Sequence, residues 1–272
     1  MEFHIDFISA KGSFFSKTLK RHVIFRFVAP GGYRKSEQAF AVLLMNDGQD
    51  YQAMNLEKTL TQSFLENPIK PFCYIGIECN EDRINEYGTS SASDFKKRGS
   101  KASMYSTFII NEFIPFIKSK FKLSTDHEDW VYCGMSLGGL SAFDIMYNYP
   151  GYFSRVGVFS GSFWWRNKPY VIGDKLDRSR IILDVIKNRK YEAGQRFWLQ
   201  CGTADEKADR NNNGIIDAID DTLDVITELQ KKGYSYPGDI SYIEVKGGKH
   251  DLQTWAKVFP NFIKWAFFTT SV

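Results

Sequence analysis

Ser136 is the residue whose setting most directly indicates covalent chemistry. It lies in the stretch GMSLG, between Gly134 and Gly138, where an apolar run gives way to a helix-like segment. A sharp turn from strand to helix crowds the backbone, and small residues two positions before and after the turning residue relieve that crowding. The hydroxyl would then project at a helix N-terminus, where free N–H groups favour a developing anion. The pattern predicts a nucleophile for acyl carbon, with a Gly/Ser turn that carries no chemistry as the alternative.

A serine nucleophile needs a base and an acid, and both follow residue 136. The base must lie within hydrogen-bond reach of the hydroxyl, and a carboxylate must orient it. In an alternation of strands and helices the expected order is serine, acid, histidine. Of the 4 histidines, only His250 follows Ser136, in the loop KGGKHD after an apolar run. For the acid we favour Asp205 in RFWLQCGTADE, with Glu206 one residue later as the alternative.

The tetrahedral intermediate of acyl transfer also needs two backbone N–H donors. One is expected from Leu137, the residue after the nucleophile, and the other from the loop after an early strand. The stretch AFAVLLMNDGQD supplies such a loop. We assign the second donor to Gln49, because Gly48 permits a close approach of the backbone. The alternative is that NDG forms an ordinary turn.

A possible cation loop, DRNNNGIIDAID, begins shortly after Asp205. Oxygen ligands at odd positions of a twelve-residue loop, with glycine at position 6, are typical of calcium loops of the EF-hand type. An aspartate replaces the usual glutamate at position 12, and an Asn-rich turn before a helix is the alternative. The sequence predicts a structural calcium ion and no organic cofactor. The predicted loop contains Asp209, Asn211, Asn213, Gly214, the Ile215 carbonyl, Asp217 and Asp220.

Two further segments contain large or charged side chains that could border a pocket. Trp164 and Trp165 in GSFWWRNKPY are candidates for the pocket wall, although packing in a core or lid is the commoner role of large aromatic residues. The segment RINEYG offers Arg83, Glu86 and Tyr87, which could reach the pocket mouth or form a structural ion-pair cluster.

The rest of the chain predicts the elements that must position these residues. Apolar runs rich in β-branched and aromatic residues predict about eight strands, and from the third onward helix-like segments fall between them. This order implies an antiparallel start that leads into a mostly parallel sheet with helices on both faces, an α/β fold. Pro115 should kink its helix or remove one backbone bond, and Gly233 should end another. The runs are FHIDFIS, HVIFRFV, AFAVLLM, FCYIGIE, WVYCG, RVGVFS, RFWLQCG and ISYIEV.

Length and composition favour one domain and name no macromolecular partner. The 272 residues suffice for one α/β domain, with a lid-like insertion at about 161–195. The net charge of +3 comes from 35 basic and 32 acidic residues without basic blocks, which argues against nucleic-acid and membrane binding. Without a signal-like or spanning segment, we expect a cytoplasmic protein. The 4 cysteines lack a CxxC spacing and are expected to be free thiols.

Several of these motifs together resemble the esterase family of α/β-hydrolases that includes esterase D, the enterochelin esterases, the feruloyl esterases and the mycolyltransferases. The resemblance covers about residues 20–268 and implies the α/β-hydrolase fold. Its serine, oxyanion and histidine elements correspond to Ser136, Gln49, Leu137 and His250, while members vary between Asp and Glu at the acid. The motifs are LLMNDGQDY, IGIECNEDRINEYGTS, GMSLGGLSAFDIMYNYPGYFSRVGVFSGSFWW, CGTADE and GGKHDLQTW.

The residues and the resemblance together predict a serine carboxylic-ester hydrolase that acts on a small-molecule ester. An acyltransferase of the same fold is the alternative among enzymes, because it differs only in what the pocket admits at the second step. A catalytically silent binding module that keeps the fold and the cation loop is the alternative among other classes. The sequence does not specify whether the ester is a siderophore, a hydroxycinnamoyl sugar, an acetylated glycan or a thioester.

Overall fold

The apolar runs lie side by side in one sheet. The computed structural model describes residues 7–66, 68–171 and 179–269. Within these ranges, 8 strands form a single sheet. The strands are β1 (Ile8–Ser16), β2 (Arg21–Ala29), β3 (Ala41–Asn46), β4 (Phe72–Ile77), β5 (Trp130–Met135), β6 (Arg155–Phe159), β7 (Arg196–Ala204) and β8 (Ile240–Lys249).

The sheet starts antiparallel and continues parallel, as predicted. Its strand order is β1-β2-β4-β3-β5-β6-β7-β8. β2 pairs antiparallel with β1 and β4, and every later neighbour pair is parallel. The carboxyl ends of β3 and β5 to β8 therefore meet at one edge of the sheet, where the loops that carry the candidate site residues emerge.

The first strand is displaced from its prediction. FHIDFIS was expected to form it, but β1 runs from Ile8 to Ser16, and residues 1–6 lie outside the described ranges. β1 is an edge strand, so its outer residues face solvent and it needs no continuous apolar run. Buried and exposed residues do not alternate regularly along β1, and Lys11 and Ser13 are exposed. A search for apolar periodicity therefore does not identify this strand.

Helices cover both faces of the sheet. One core cluster packs helices α3 to α7 against one face, and a second packs α1 and α8 against the other. No helix within the described residues has the length and apolar character needed to cross a membrane. The helices are α1 (Leu56–Ser63), α2 (Arg83–Glu86), α3 (Ala102–Thr107), α4 (Ile114–Lys120), α5 (Ser136–Asn148), α6 (Ile181–Asn188), α7 (Asp217–Lys232) and α8 (Leu252–Phe267).

Pro115 lies where the helix changes type, and it does not remove the backbone bond that we expected it to remove. The segment Phe108–Phe113 between α3 and α4 is a π-helical turn, and the Ile114 N–H donates to the Ile109 carbonyl. Proline has no N–H to donate and its ring clashes with the carbonyl one turn earlier. The wider turn places Pro115 in the first turn of α4, where the missing donor costs no helical bond.

The helix α7 ends as predicted, whereas α8 was not predicted. Gly233 caps α7 with a φ of 114° in the left-handed region, which glycine adopts without strain. α8 begins after Asp251, whose carboxylate accepts the Thr254 N–H at 2.8 Å. Pro260 lies inside this 16-residue helix, and a proline within a helical pattern normally argues against it.

A buried charge cluster joins α7 to the segment between β6 and β7. The carboxylate of Asp221 is 1% exposed and pairs with Arg180, 2.6 Å away, and with Arg210. Arg180 also pairs with Asp224, whose side chain is 52% exposed. The predicted insertion at 161–195 contains α6, and its residues 172–178 lie outside the described ranges. Its role as a lid, and the single-domain organisation, stay predictions.

Asp221→Asn should destabilise the fold much more than Asp224→Asn. Removing a buried partner leaves its counter-charges in a dry environment, at a cost of about 3 kcal/mol. The exposed pair contributes at most about 1 kcal/mol. Urea denaturation of both variants measures the difference in the free energy of unfolding. Equal losses would show that the Asp221 cluster does not stabilise the fold as a buried ion pair.

Candidate active site

The turn at Ser136 depends on close contacts between glycines. Ser136 directly follows β5 and begins α5, with a left-handed φ of 52°. Such a conformation costs a serine about 1–3 kcal/mol and persists where the surroundings impose it. A Cβ on Gly134 would lie 2.4 Å from the Gly138 carbonyl oxygen, and one on Gly139 would lie 2.9 Å from the Gly134 oxygen. Only glycine lets the two backbones approach this closely.

His250 contacts the Ser136 hydroxyl. Its Nε2 atom lies 2.9 Å from Ser136 Oγ, although 114 positions separate the residues in the chain. His250 stands between the end of β8 and the start of α8. Ser162 supports the nucleophile from another side, because its N–H donates to the Ser136 carbonyl at 3.1 Å and its hydroxyl lies 3.4 Å from Ser136 Oγ. The geometry permits direct proton transfer from Oγ to Nε2.

The surroundings of His250 favour its neutral form. Burial of the ring lowers its pKa below the usual value, and the Arg83 guanidinium acts in the same direction. The carboxylates of Asp205 and Asp251 oppose this by raising the pKa. The net direction is downward, so the imidazole is neutral at neutral pH and can accept a proton. Part of the residue remains exposed, which leaves the base accessible to substrate and water.

Asp205 lies beyond the end of β7 and acts on His250 through its charge. Both carboxylate oxygens are buried and have no partner at hydrogen-bond distance within the described residues. Burial raises the pKa of Asp205, while the Ser160 hydroxyl, the Gly202 backbone and the His250 charge lower it. The structure therefore brings Asp205 into the electrostatic environment of His250 without a formed hydrogen bond between them. Catalytic hydrogen bonds are often long in the absence of substrate.

Glu206 faces a different part of the molecule. Burial raises the pKa of its carboxyl, and so do the nearby carboxylates of Asp217 and Asp221. The Ala218 backbone and the Arg210 charge lower that pKa. These neighbours belong to α7 and the loop before it, and Glu206 does not contribute to the pKa shift of His250.

The candidate oxyanion donors lie at the ends of adjacent strands. β3 and β5 are parallel neighbours, and Gln49 and Leu137 follow them in the chain. Gln49 lies in the 3-10 turn Gly48–Tyr51, and a Cβ on Gly48 would lie 2.4 Å from the Gly76 carbonyl carbon. The Leu137 amide lies in the first turn of α5, where N–H groups have no partner within the helix. The assignment of both amides as donors stays a prediction.

Asp47 is a residue of this region that sequence reasoning missed. Its carboxylate is 3% exposed and accepts from Arg83 Nε at 2.6 Å and Nη2 at 2.7 Å. A Cβ on Gly138 would lie 2.4 Å from Asp47 Oδ2, so the ion pair lies against the nucleophile helix. Such a bidentate pair fixes its loop firmly. The ion pair is non-local, so the only sequence signal for it was a charged residue directly after a buried strand.

The segment RINEYG combines structural pairs with one residue near the site. Glu86 is buried and pairs with Arg21, and the hydroxyl of buried Tyr87 accepts the Asp47 N–H at 3.3 Å. Arg83 is 31% exposed in its side chain and its charge acts on His250. The ion-pair interpretation therefore holds for Glu86, while Arg83 also lies close to the base.

The two tryptophans have different surroundings. Trp165 is 0% exposed and packs so closely that a Cβ on Gly99 would lie 2.9 Å from its ring. The expectation that Trp165 lines the pocket is wrong, because the ring has no free surface and fills the core instead. Trp164 is partly buried, and Arg98 stacks over both indole rings at 5.2 and 5.1 Å.

The residues of the predicted cation loop converge. Asp209 accepts the N–H groups of Asn213 at 3.1 Å and Gly214 at 2.9 Å, and the side-chain amides of Asn211 and Asn213 donate to Asp220. The N–H of Ile215 donates to Asn213 Oδ1 at 2.8 Å. Across the described ranges, no group of three or more His, Cys, Asp or Glu side chains is arranged to hold a metal ion. Calcium binding by this loop therefore stays a prediction.

Asp217, at position 9 of this loop, has another partner. Its carboxylate accepts the Arg210 N–H at 2.8 Å and lies 3.3 Å from the Arg210 guanidinium. A carboxylate held in this way is not free to turn toward a cation.

Comparisons with known proteins identify a family and similar structures for this chain. Residues 16–265 match the family described as "Putative esterase". The protein YbbA of Bacillus subtilis (strain 168) is 25% identical over 252 residues, which are 89% of this chain and 92% of that protein. A ferulic acid esterase structure superimposes with a TM-score of 0.73 at 14% identity, over 97% of this chain and 99% of its own.

A second structure shares the fold over part of its length. The enterobactin esterase of Shigella flexneri superimposes with a TM-score of 0.73 at 18% identity. The match covers 95% of this chain but 59% of that one. Because the family model matches residues 16–265, the chain belongs to this esterase family, and the superpositions show that it has the α/β-hydrolase fold.

Proposed function

We propose that this protein hydrolyses a small-molecule carboxylic ester through an acyl-enzyme on Ser136. The observation that carries the proposal is the 2.9 Å distance between Ser136 Oγ and His250 Nε2. It is combined with a strained turn that exposes the hydroxyl at the start of α5. A nucleophile, a neutral base and a helix N-terminus at one sheet edge are the elements that acyl transfer requires.

The reaction begins with attack of Ser136 Oγ on the ester carbonyl carbon. His250 Nε2 takes the hydroxyl proton and returns it to the leaving alcohol. The backbone N–H groups of Gln49 and Leu137 hold the negative oxygen of the tetrahedral intermediate. Water then attacks the acyl-enzyme, again with His250 as base, and releases the carboxylic acid.

Asp205 is the proposed acid of the triad. Its negative charge raises the pKa of His250, and so stabilises the imidazolium that forms during attack. Glu206 is a weaker candidate, because its electrostatic neighbours are Asp217, Asp221 and Arg210. Asp205 and His250 are not at hydrogen-bond distance from each other. We expect the two side chains to form that hydrogen bond when substrate binds.

The proposed substrate is an ester whose acyl part lies against Trp164. Similar structures carry the names ferulic acid esterase and enterobactin esterase, and the partly buried Trp164 offers an aromatic surface after β6. A panel of esters that varies acyl and alcohol groups separately would identify the preferred part. Product analysis with an added alcohol acceptor would distinguish hydrolysis from acyl transfer.

Ser136→Ala and His250→Ala should abolish turnover of a simple aryl ester. The residual rate should be no more than roughly 10³ to 10⁴ times the uncatalysed rate, which an oxyanion hole alone can supply. Steady-state kinetics give the values. His127→Ala, at an exposed histidine that precedes Ser136 in the chain, is the matched control and should keep full activity. An inactive His127 variant beside an active His250 variant would overturn the assignment of the base.

Asp205→Asn should cost far more activity than Glu206→Gln. Each change removes one charge with little change in shape, so the comparison isolates the role of the carboxylate. Loss of the true acid leaves the imidazole without its counter-charge and costs about four orders of magnitude in kcat in well-formed triads. The ratio of the two kcat values is the measurement. A larger loss for Glu206→Gln would reverse the assignment and leave Ser136 and His250 in place.

We also propose that the loop from Asp209 to Asp220 binds calcium as a structural ion. The carboxylates of Asp209 and Asp220 and the amide oxygens of Asn211 and Asn213 would hold it, with the Ile215 carbonyl. The two amides now donate to Asp220, so each would rotate to present its oxygen. With so few negative ligands, affinity should be in the range of about 10⁻⁴ to 10⁻³ M.

Calcium at several millimolar should raise the melting temperature, and a chelator should lower it. With a dissociation constant of about 10⁻⁴ to 10⁻³ M, free calcium at about 5 mM stabilises the folded state by roughly 1 to 2 kcal/mol. Magnesium should substitute poorly, because it requires a tighter octahedral site. Asp209→Ala combined with Asp220→Ala should remove the response. If wild type and this variant melt alike in calcium and in chelator, the loop is only a turn.

A further inference from the structure

Ser160 occupies a strained position directly after β6. Its φ of 45° is left-handed, it is 2% exposed, and its N–H donates to the Gln200 carbonyl at 2.7 Å. Glycine would adopt this conformation without strain, and the next residue, Gly161, is a glycine. Because a serine in this conformation costs free energy that a glycine would not, we expect the serine side chain to make a functional contact.

The hydroxyl of Ser160 is fixed by Trp255 on α8. The Trp255 indole Nε1 lies 2.9 Å from Ser160 Oγ in a buried contact, and its ring packs edge-on against His250 with centroids 5.1 Å apart. The indole nitrogen can only donate a hydrogen bond, so Ser160 Oγ must be the acceptor. The Ser160 hydroxyl proton is therefore available to a different acceptor.

The Asp205 carboxylate can be that acceptor. An ionised carboxylate can only accept hydrogen bonds, and both Asp205 oxygens are buried without a partner at hydrogen-bond distance among the described residues. The Ser160 hydroxyl lowers the pKa of the Asp205 carboxyl, as a hydrogen-bond donor to the charged form does. The other groups that act on Asp205 are the Gly202 backbone and the charges of His250 and Asp251.

We propose that Ser160 is a positioning residue: Trp255 fixes its hydroxyl, which donates to Asp205 and keeps that carboxylate ionised and directed toward His250. The inference rests on the proposed function, because it gives the triad acid its hydrogen-bond donor. The donor and acceptor types allow only one direction, from Trp255 through Ser160 to Asp205. Trp255 thus supports both the acid, through Ser160, and the base, through its ring contact with His250.

The proposal predicts a change in pH dependence as well as in rate. A hydrogen bond to the charged form lowers a carboxyl pKa, so its loss raises the pKa of Asp205. Asp205 and His250 titrate as a pair, and the active form has ionised Asp205 and neutral His250. A higher pKa of Asp205 makes the pair take up its first proton at higher pH. The acid limb of kcat/KM should therefore move upward, whereas a purely structural defect would lower kcat without moving that limb.

The test compares kcat/KM for an aryl ester from about pH 4.5 to 9 in Ser160→Gly, Ser160→Ala and Trp255→Phe. In both Ser160 variants kcat/KM should fall by about 10- to 100-fold, because this is the effect of losing a hydrogen bond to a charged group. The acid limbs of their kcat/KM profiles should move to higher pH. Trp255→Phe keeps an aromatic ring against His250 but removes the donor, so it should show a smaller change in the same direction. Wild-type rate and profile in Ser160→Gly, which carries no backbone strain, would overturn the proposal.

A double variant separates this inference from the proposed function. In an Asp205→Asn background, Ser160→Ala should lower kcat/KM by less than about 2-fold, because the hydroxyl then has no carboxylate to support. If Ser160→Ala lowers kcat/KM in this background by as much as it does in the wild-type protein, Ser160 does not act through Asp205, and the proposal is overturned. If Asp205→Asn itself keeps full activity, the triad assignment fails and the role of Ser160 fails with it. If Asp205→Asn is impaired and Ser160→Gly is not, only the positioning role fails.

Discussion

The close passage of the backbone at Gly134, Gly138 and Gly139 is the constraint on which the site depends. It lets β5 turn into α5 without clashes and holds Ser136 in a left-handed conformation. This strain is stabilised by the buried strands and helix on either side. The turn places the Ser136 hydroxyl at the edge of the sheet where His250, which follows β8, also lies. A larger residue at Gly134 or Gly139 would clash with the opposing backbone of this turn, and one at Gly138 would clash with the Asp47 carboxylate.

Around this turn, buried charges set the geometry and protonation of the site. The Asp47–Arg83 pair holds the loop before Gln49 against α5 and adds a positive charge near His250. Asp205 adds a negative charge near His250 from the loop after β7. The first acts to keep the imidazole neutral before reaction, and the second stabilises the imidazolium once a proton has been taken. Burial of the ring is the largest cause of its lowered pKa, and these two charges act together with it.

The features that sequence could predict are those encoded locally. Strands β2 to β8 appear as apolar runs, and the GMSLG pattern carries its own steric explanation. The edge strand β1 lacks such a run, and Pro260 hides α8. Asp47 and Ser160 could not be recognised, because their partners lie far along the chain: 95 positions separate Ser160 from Trp255. Trp165 was placed wrongly because composition does not tell a core aromatic from a pocket wall.

The central claim is that His250 activates Ser136 as a nucleophile, and covalent trapping tests it most directly. The protein is treated with a fluorophosphonate, its intact mass is measured, and the modified peptide is sequenced by mass spectrometry. The account predicts one adduct per chain, located on Ser136, and much slower labelling of a folded His250→Ala variant. An unmodified protein, an adduct on another residue, or equal labelling of the His250 variant would contradict it.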